Sequence, residues 1–159
     1  MHKGNAQRGM LASFQDALRG ISSCLSTERH MRIHLAACVF VLFLGVALPL
    51  TRGERACLLL AMGAVTAAEA MNTAVERLCD FVQKRRSPLI GAVKDIAAGS
   101  VLLAALFAAG VGAVVLVRPE LWQLFRSIFS SPLKAAGFVV AAGVALFFVC
   151  RQPKGRPGR

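Results

Sequence analysis

Four apolar runs constrain this chain more than any other feature: residues 35–50, 56–75, 96–117 and 133–150. A helix crossing a bilayer needs about 20 residues, within a range of about 17–25. Four such runs in 159 residues leave no room for an ordinary soluble core. Charged residues make up only 17% of the chain, against roughly 25% in a soluble domain. The chain therefore reads as all-α, a polytopic membrane helical bundle. A disordered chain, a coiled coil and a nucleic-acid module are excluded. The net charge of +11 lies between apolar runs. Its expected partners are acidic phospholipid headgroups or phosphorylated small molecules, with no nucleic acid. The five cysteines form no CxxC and read as scattered buried thiols. Thirty-four mixed residues precede the first run, so a cleaved secretory signal is not expected there.

Lys and Arg set the orientation. Lys3, Arg8, Arg19, Arg29 and Arg32 precede the first span. Arg77, Lys84, Arg85, Arg86 and Lys94 lie between the second and third, and Arg151, Lys154, Arg156 and Arg159 follow the fourth. The opposite side holds only Arg52, Arg55, Arg118, Arg126 and Lys134. Both termini are thus expected in the cytoplasm. The first run is short, and its span is expected to begin at about residue 33, with Arg32 reaching to the interface.

Two segments are amphipathic. Leu11, Phe14, Leu18, Ile21 and Leu25 recur at helical steps, predicting a surface helix over about 10–30. Leu121, Leu124, Phe125, Ile128 and Phe129 form a second stripe beyond Pro119, an interfacial link on the opposite leaflet. Ala104, Ala108 and Gly112, and likewise Gly137, Ala141 and Ala145, align small residues that permit close helix approach. The expected organisation has a unit at 1–118, with spans at about 33–50, 56–76 and 96–117. Residues 119–151 supply the interfacial helix and an extra C-terminal span, and 152–159 a disordered basic tail.

Ionisable groups inside a span are costly and usually functional. Glu69 falls inside the second run, with Asn72, Glu76 and Asp80 following at i+3, i+7 and i+11. These four lie within roughly 80° of one another around a helix, and Glu69 sits roughly 10 Å deeper than Glu76. Lys94 and Asp95 mark the entry of the third span, and Glu28 ends the surface helix. Carboxylates in this number call for a cation. Mg²⁺ favours one or two carboxylates together with phosphate oxygens, which implies a nucleotide. The chain contains no GxxxxGK[ST], kinase-type GxGxxG or HRD motif. A small ion- or proton-coupled transporter using Glu69 is the rival reading. Transporter sites belong near the midplane, whereas these carboxylates climb towards the cytoplasm.

Arg19-Gly20-Ile21, TERHMRIH at 27–34, EAMNTAVERLCD at 69–80 and PLIGAVKDIAAGSV at 88–101 together carry a resemblance. The sequence resembles the small prokaryotic integral-membrane lipid kinases, the diacylglycerol/undecaprenol kinase family, over about residues 14–118. The ER…H element looks more like the undecaprenol kinase branch. The resemblance implies three spans, a homotrimer with sites between subunits, and Mg²⁺ with ATP as phosphoryl donor. It implies a membrane lipid alcohol as acceptor, undecaprenol or diacylglycerol, at the cytoplasmic face of the bacterial inner membrane. It makes Glu69 the general base and Asn72 its active-site neighbour. Glu28 and Glu76 become the metal carboxylates. Asp80, Lys94 and Asp95 join Glu28 and Glu76 in the nucleotide site. His30 replaces the branch's usual Asn, Lys84-Arg85-Arg86 is unusually basic, and the fourth span lies outside the pattern.

Overall fold

The computed structural model describes residues 9–83, 85 and 87–151. The predicted tail at 152–159, and Lys84 and Arg86 of the basic loop, lie outside the described residues. Six helices follow in order: α1 (Met10–Thr27), α2 (Arg29–Ala47), α3 (Arg52–Val82), α4 (Pro88–Leu116), α5 (Pro119–Phe129) and α6 (Pro132–Cys150). Among the described residues there is no strand. Helices α2, α3, α4 and α6 are long and apolar enough to cross a membrane. The chain is a polytopic helical bundle.

Local chemistry sets the boundaries. The break between α1 and α2 falls at Glu28, whose backbone is extended at φ −105°, ψ 121°. That is two residues before the predicted end of the surface helix. Helix α2 stops at Ala47 because Leu48 precedes Pro49, and a residue before proline is pushed out of the helical region. Thr51 then opens α3 with a capping box: its hydroxyl accepts from the Glu54 backbone N–H, and the Glu54 carboxylate accepts from the Thr51 N–H at 2.7 Å. Helices α4, α5 and α6 each carry proline in the first turn, where its missing N–H costs nothing. Helix α3 continues to Val82, past the predicted limit near 76, because hydropathy marks the bilayer and not the end of a helix. Its 31 residues give a rod of about 46 Å, longer than the roughly 30 Å hydrocarbon core. Its polar end therefore reaches the interface.

Helix α3 is the centre of the bundle, packed chiefly on α4 and then on α2. Leu44, Leu48, Leu50, Leu58, Val115 and Leu116 form the buried cluster, with Leu121 and Leu124 of α5 packed against it. The Glu54 carboxylate also pairs with Arg118, tying the start of α3 to the turn before α5. This apolar end is opposite the end that carries Glu69 and Glu76. Elsewhere large apolar side chains such as Leu106, Phe107 and Phe147 face outward, as a lipid-facing surface requires. The α1 stripe of Leu11, Phe14, Leu18 and Ile21 is likewise exposed.

Helix α5 seats Phe125 and Phe129 edge-on against Phe138 of α6. Helix α6 also packs on α2, where the buried Arg32 guanidinium donates to the Arg151 carbonyl at the C-terminus of α6. The small-residue stripe on α4 is partly covered, but Gly137, Ala141 and Ala145 of α6 are all exposed. Phe138 meets α5 and the Phe148 carbonyl meets Arg32, whereas the exposed stripe is not a packing face within one chain.

Candidate active site

Three elements meet at the polar end of the bundle. The α1–α2 break carries Glu28, α3 carries Glu69, Asn72, Glu76 and Asp80, and α4 carries Lys94 and Asp95. Glu69 is 4% exposed and lies within electrostatic range of His30, Glu28 and Glu76. The carboxylate at the helix break and the deeper pair on α3 thus converge within one chain. Asn72 Nδ2 donates to Glu76 Oε1 at 3.2 Å, as its i,i+4 spacing allows. The other amide atom, Asn72 Oδ1, is buried without a hydrogen-bond partner among the described residues. A buried orphan acceptor is uncommon, and this one sits beside a carboxylate.

Asp80 and Lys94 form an ion pair between the ends of α3 and α4, and Lys94 is also within electrostatic range of Glu76. Asp95 is exposed on α4 and enters none of these contacts. The sequence-predicted set therefore divides: Glu28, Glu69, Asn72, Glu76, Asp80 and Lys94 are connected, and Asp95 stands apart.

Arg77 was invisible as a site residue in the sequence, where it reads as one more cytoplasmic positive charge. In the structure it reaches from α3 to the end of α1. Its Nη1 donates to Ser23 Oγ at 3.1 Å and its Nη2 to Thr27 Oγ1 at 2.7 Å. The same guanidinium stands 4.0 Å from Glu28 Oε1, and the Thr27 hydroxyl donates to that carboxylate at 3.0 Å. One turn deeper, Cys24 Sγ meets Thr73 Oγ1 at 3.3 Å in a buried contact. The available sequence signal was the i,i+4 pair of hydroxyls, Ser23 and Thr27, closing an amphipathic helix.

The donor set suits a hard cation. Glu28, Glu76 and the orphan Asn72 Oδ1 offer oxygen only, the ligand type Mg²⁺ selects. Among the described residues no three His, Cys, Asp or Glu side chains form a protein-only cage.

The family model for prokaryotic diacylglycerol kinase matches residues 15–116. The chain belongs to this family. As a prokaryotic diacylglycerol kinase family member it is a membrane lipid kinase, and its connected polar cluster lies wholly inside the matched segment. It is 33% identical over 114 residues to an undecaprenol kinase of Bacillus subtilis (strain 168), covering 72% of this chain and 92% of that relative. It is 38% identical over 113 residues to a diacylglycerol kinase of a Synechocystis species, covering 70% of this chain and 65% of that relative. No solved structure matches the chain. Helices α5 and α6 lie outside the family match.

Proposed function

We propose that the chain transfers the γ-phosphoryl group of ATP to the hydroxyl of a long-chain membrane alcohol. The transfer takes place at the cytoplasmic face of the bacterial inner membrane. The observation that carries this reading is the depth order on α3. Glu69 is buried and within electrostatic range of Glu28 and Glu76, while Glu76, two turns nearer the interface, is within range of Lys94. A lipid alcohol approaches from the bilayer and a nucleotide from water, so an acceptor base and a phosphate site must be stacked in this order.

Glu28, Glu76 and Asn72 Oδ1 would hold Mg²⁺, which supplies charge neutralisation at the β- and γ-phosphates. Glu69 accepts the hydroxyl proton on a carboxylate oxygen as the alcohol oxygen bonds to the γ-phosphorus. The bond from that phosphorus to the β,γ-bridging oxygen breaks, and ADP leaves. Lys94 turns from Asp80 towards the transferring group and spreads its charge, while Asp95 contacts the nucleotide from the exposed side of α4. Catalysis of this kind is mostly positioning and electrostatics. In this reading both termini face the cytoplasm, acidic headgroups surround the basic segments, and the working unit is a homotrimer.

The test is phosphoryl transfer by purified protein in mixed micelles. Labelled ATP, Mg²⁺ and undecaprenol or diacylglycerol are supplied in turn, with a chelator control. Magnesium-dependent labelling of a lipid alcohol is expected. Absence of transfer to either lipid overturns the reading.

A further inference from the structure

A cavity of about 270 Å³ opens between α2, α3 and α4, deeper in the bundle than the polar cluster. Its lining includes His34, Val65, Leu58, Ala105, Ala109 and Gly112. Two helices place its upper end below the candidate base. Val65 is one turn deeper than Glu69 on α3 and is also buried. His34 is one turn deeper on α2 than His30, which lies within electrostatic range of Glu69. From Ala105 to Gly112 the cavity runs roughly 10 Å along α4. A Cβ built on Gly112 would meet nothing within 4 Å, so the wall there borders open space.

The geometry points to a binding site for one hydrocarbon chain of the acceptor, and specifically for the first isoprenoid segment of a single-chain prenyl alcohol. This inference rests on the kinase reading above and deepens it. An apolar cavity of about 150 Å³ holds benzene, so 270 Å³ holds roughly ten carbons, or two isoprene units. In a prenyl alcohol the hydroxyl terminates the chain. A chain lying in this cavity therefore delivers its hydroxyl upward, one helical turn away, to Glu69. A diacylglycerol needs two chains side by side and donors for two ester carbonyls. Apart from His34 and Cys38, the walls are Ala, Val, Leu, Met and Gly. Those walls offer almost nothing to an ester.

The experiment uses the full-length protein in mixed micelles and a ten-carbon prenyl alcohol bearing a diazirine. Photolabelled peptides are mapped by mass spectrometry. Label is expected within 34–41, 58–65 and 105–112, displaced by unlabelled prenol and not by phospholipid or diacylglycerol. Gly112→Leu fills the cavity from a wall with open space before it, and Ala109→Leu is a second filling variant. Each should lower labelling about tenfold. With ATP and Mg²⁺, each should raise KM for the ten-carbon alcohol about tenfold relative to a five-carbon prenol. That effect is modest because lipid already solvates the chain and only packing contacts are gained. An unchanged KM for MgATP shows that the fold is intact. Equal displacement by phospholipid or diacylglycerol overturns the assignment, as does labelling that survives both filling variants. If the segments label as expected but no alcohol is phosphorylated, the kinase reading falls and the cavity assignment stands. If prenol is phosphorylated without labelling here, the cavity assignment falls and the kinase reading stands.

Discussion

Each carboxylate of the cluster has a distinct separable consequence. Glu69 is buried at the deepest level, which the proposed function assigns to the acceptor hydroxyl. Glu69→Gln should therefore lower turnover at least a hundredfold, the usual scale for a general base, while nucleotide affinity is held. Glu76 bonds Asn72 and lies near Lys94, so Glu76→Gln should lose both turnover and MgATP binding. Calorimetric titration beside the kinase assay distinguishes them, and a parallel fall in both quantities for Glu69→Gln would contradict this division. Arg77 makes a prediction of another kind. It contacts Ser23, Thr27 and Glu28 but none of the reacting groups, so it is a positioning residue. Removing it takes away this link between Glu28 and α3. Arg77→Ala should raise KM for MgATP about tenfold, the scale of losing one charge-assisted contact, and leave kcat within a few-fold. Arg77→Lys keeps one donor and should restore part of the loss. A kcat effect with unchanged KM would place Arg77 elsewhere in the mechanism. The carboxylates were legible in the sequence because charge within an apolar run is conspicuous. Arg77 was not, because one Arg among many basic residues carries no local signal, and its contacts depend on α1 folding back onto α3.

At the scale of the element, α3 runs from a capped start to a polar end. Thr51 and Glu54 cap it at the apolar end, beside Leu50 and Leu58, while the cluster occupies its last four turns. Stability and chemistry are thus separated along one rod. Thr51→Ala removes the hydroxyl that accepts from the Glu54 N–H and should cost about 1 kcal/mol. Thermal denaturation in detergent should show a lower midpoint, while KM and kcat stay unchanged. A change in either kinetic constant would mean that strain at the capped end reaches the site. The helices themselves were readable from hydropathy and from the three first-turn prolines. Their ends were less so. Hydropathy stops at the bilayer surface, whereas the backbone bonds of α3 continue to Val82. The break at Glu28 was placed to within two residues by the end of the α1 stripe, although no Gly or Pro marks it. The structure adds the extended backbone that sets Glu28 between α1 and α2.

For the whole molecule the open question is the extra span, because α5 and α6 lie beyond the matched 15–116 segment. Periodicity foresaw α5 as an amphipathic link, and the structure seats its phenylalanines on Phe138. The docking of α6 on α2 was not legible, since it joins positions 116 to 119 residues apart. Arg32 makes that joint. Its guanidinium is buried, and Nη1 meets the Arg151 carbonyl and, at 3.5 Å, that of Phe148. A cation at a helix C-terminus satisfies carbonyls that the helix leaves unpaired and opposes their partial negative charge. Arg32 Nε and Nη2 remain without partners among the described residues, so burial under α6 is only partly compensated. A chain ending at Arg118 would uncover this guanidinium near the interface, where its stem can carry it to water. Such a chain keeps every member of the polar cluster and the core around Leu44 and Val115. It should insert and phosphorylate its lipid with kcat within a few-fold of the full-length protein, and denature at a lower temperature. Arg32→Met in the full chain should likewise lower the midpoint by loosening α6, with little effect on rate. Both are checked by kinase assay and thermal scan in the same detergent. Arg32 stands one turn from Glu28, so an inactive but folded truncation would mean that α6, acting through the start of α2, holds Glu28 in place.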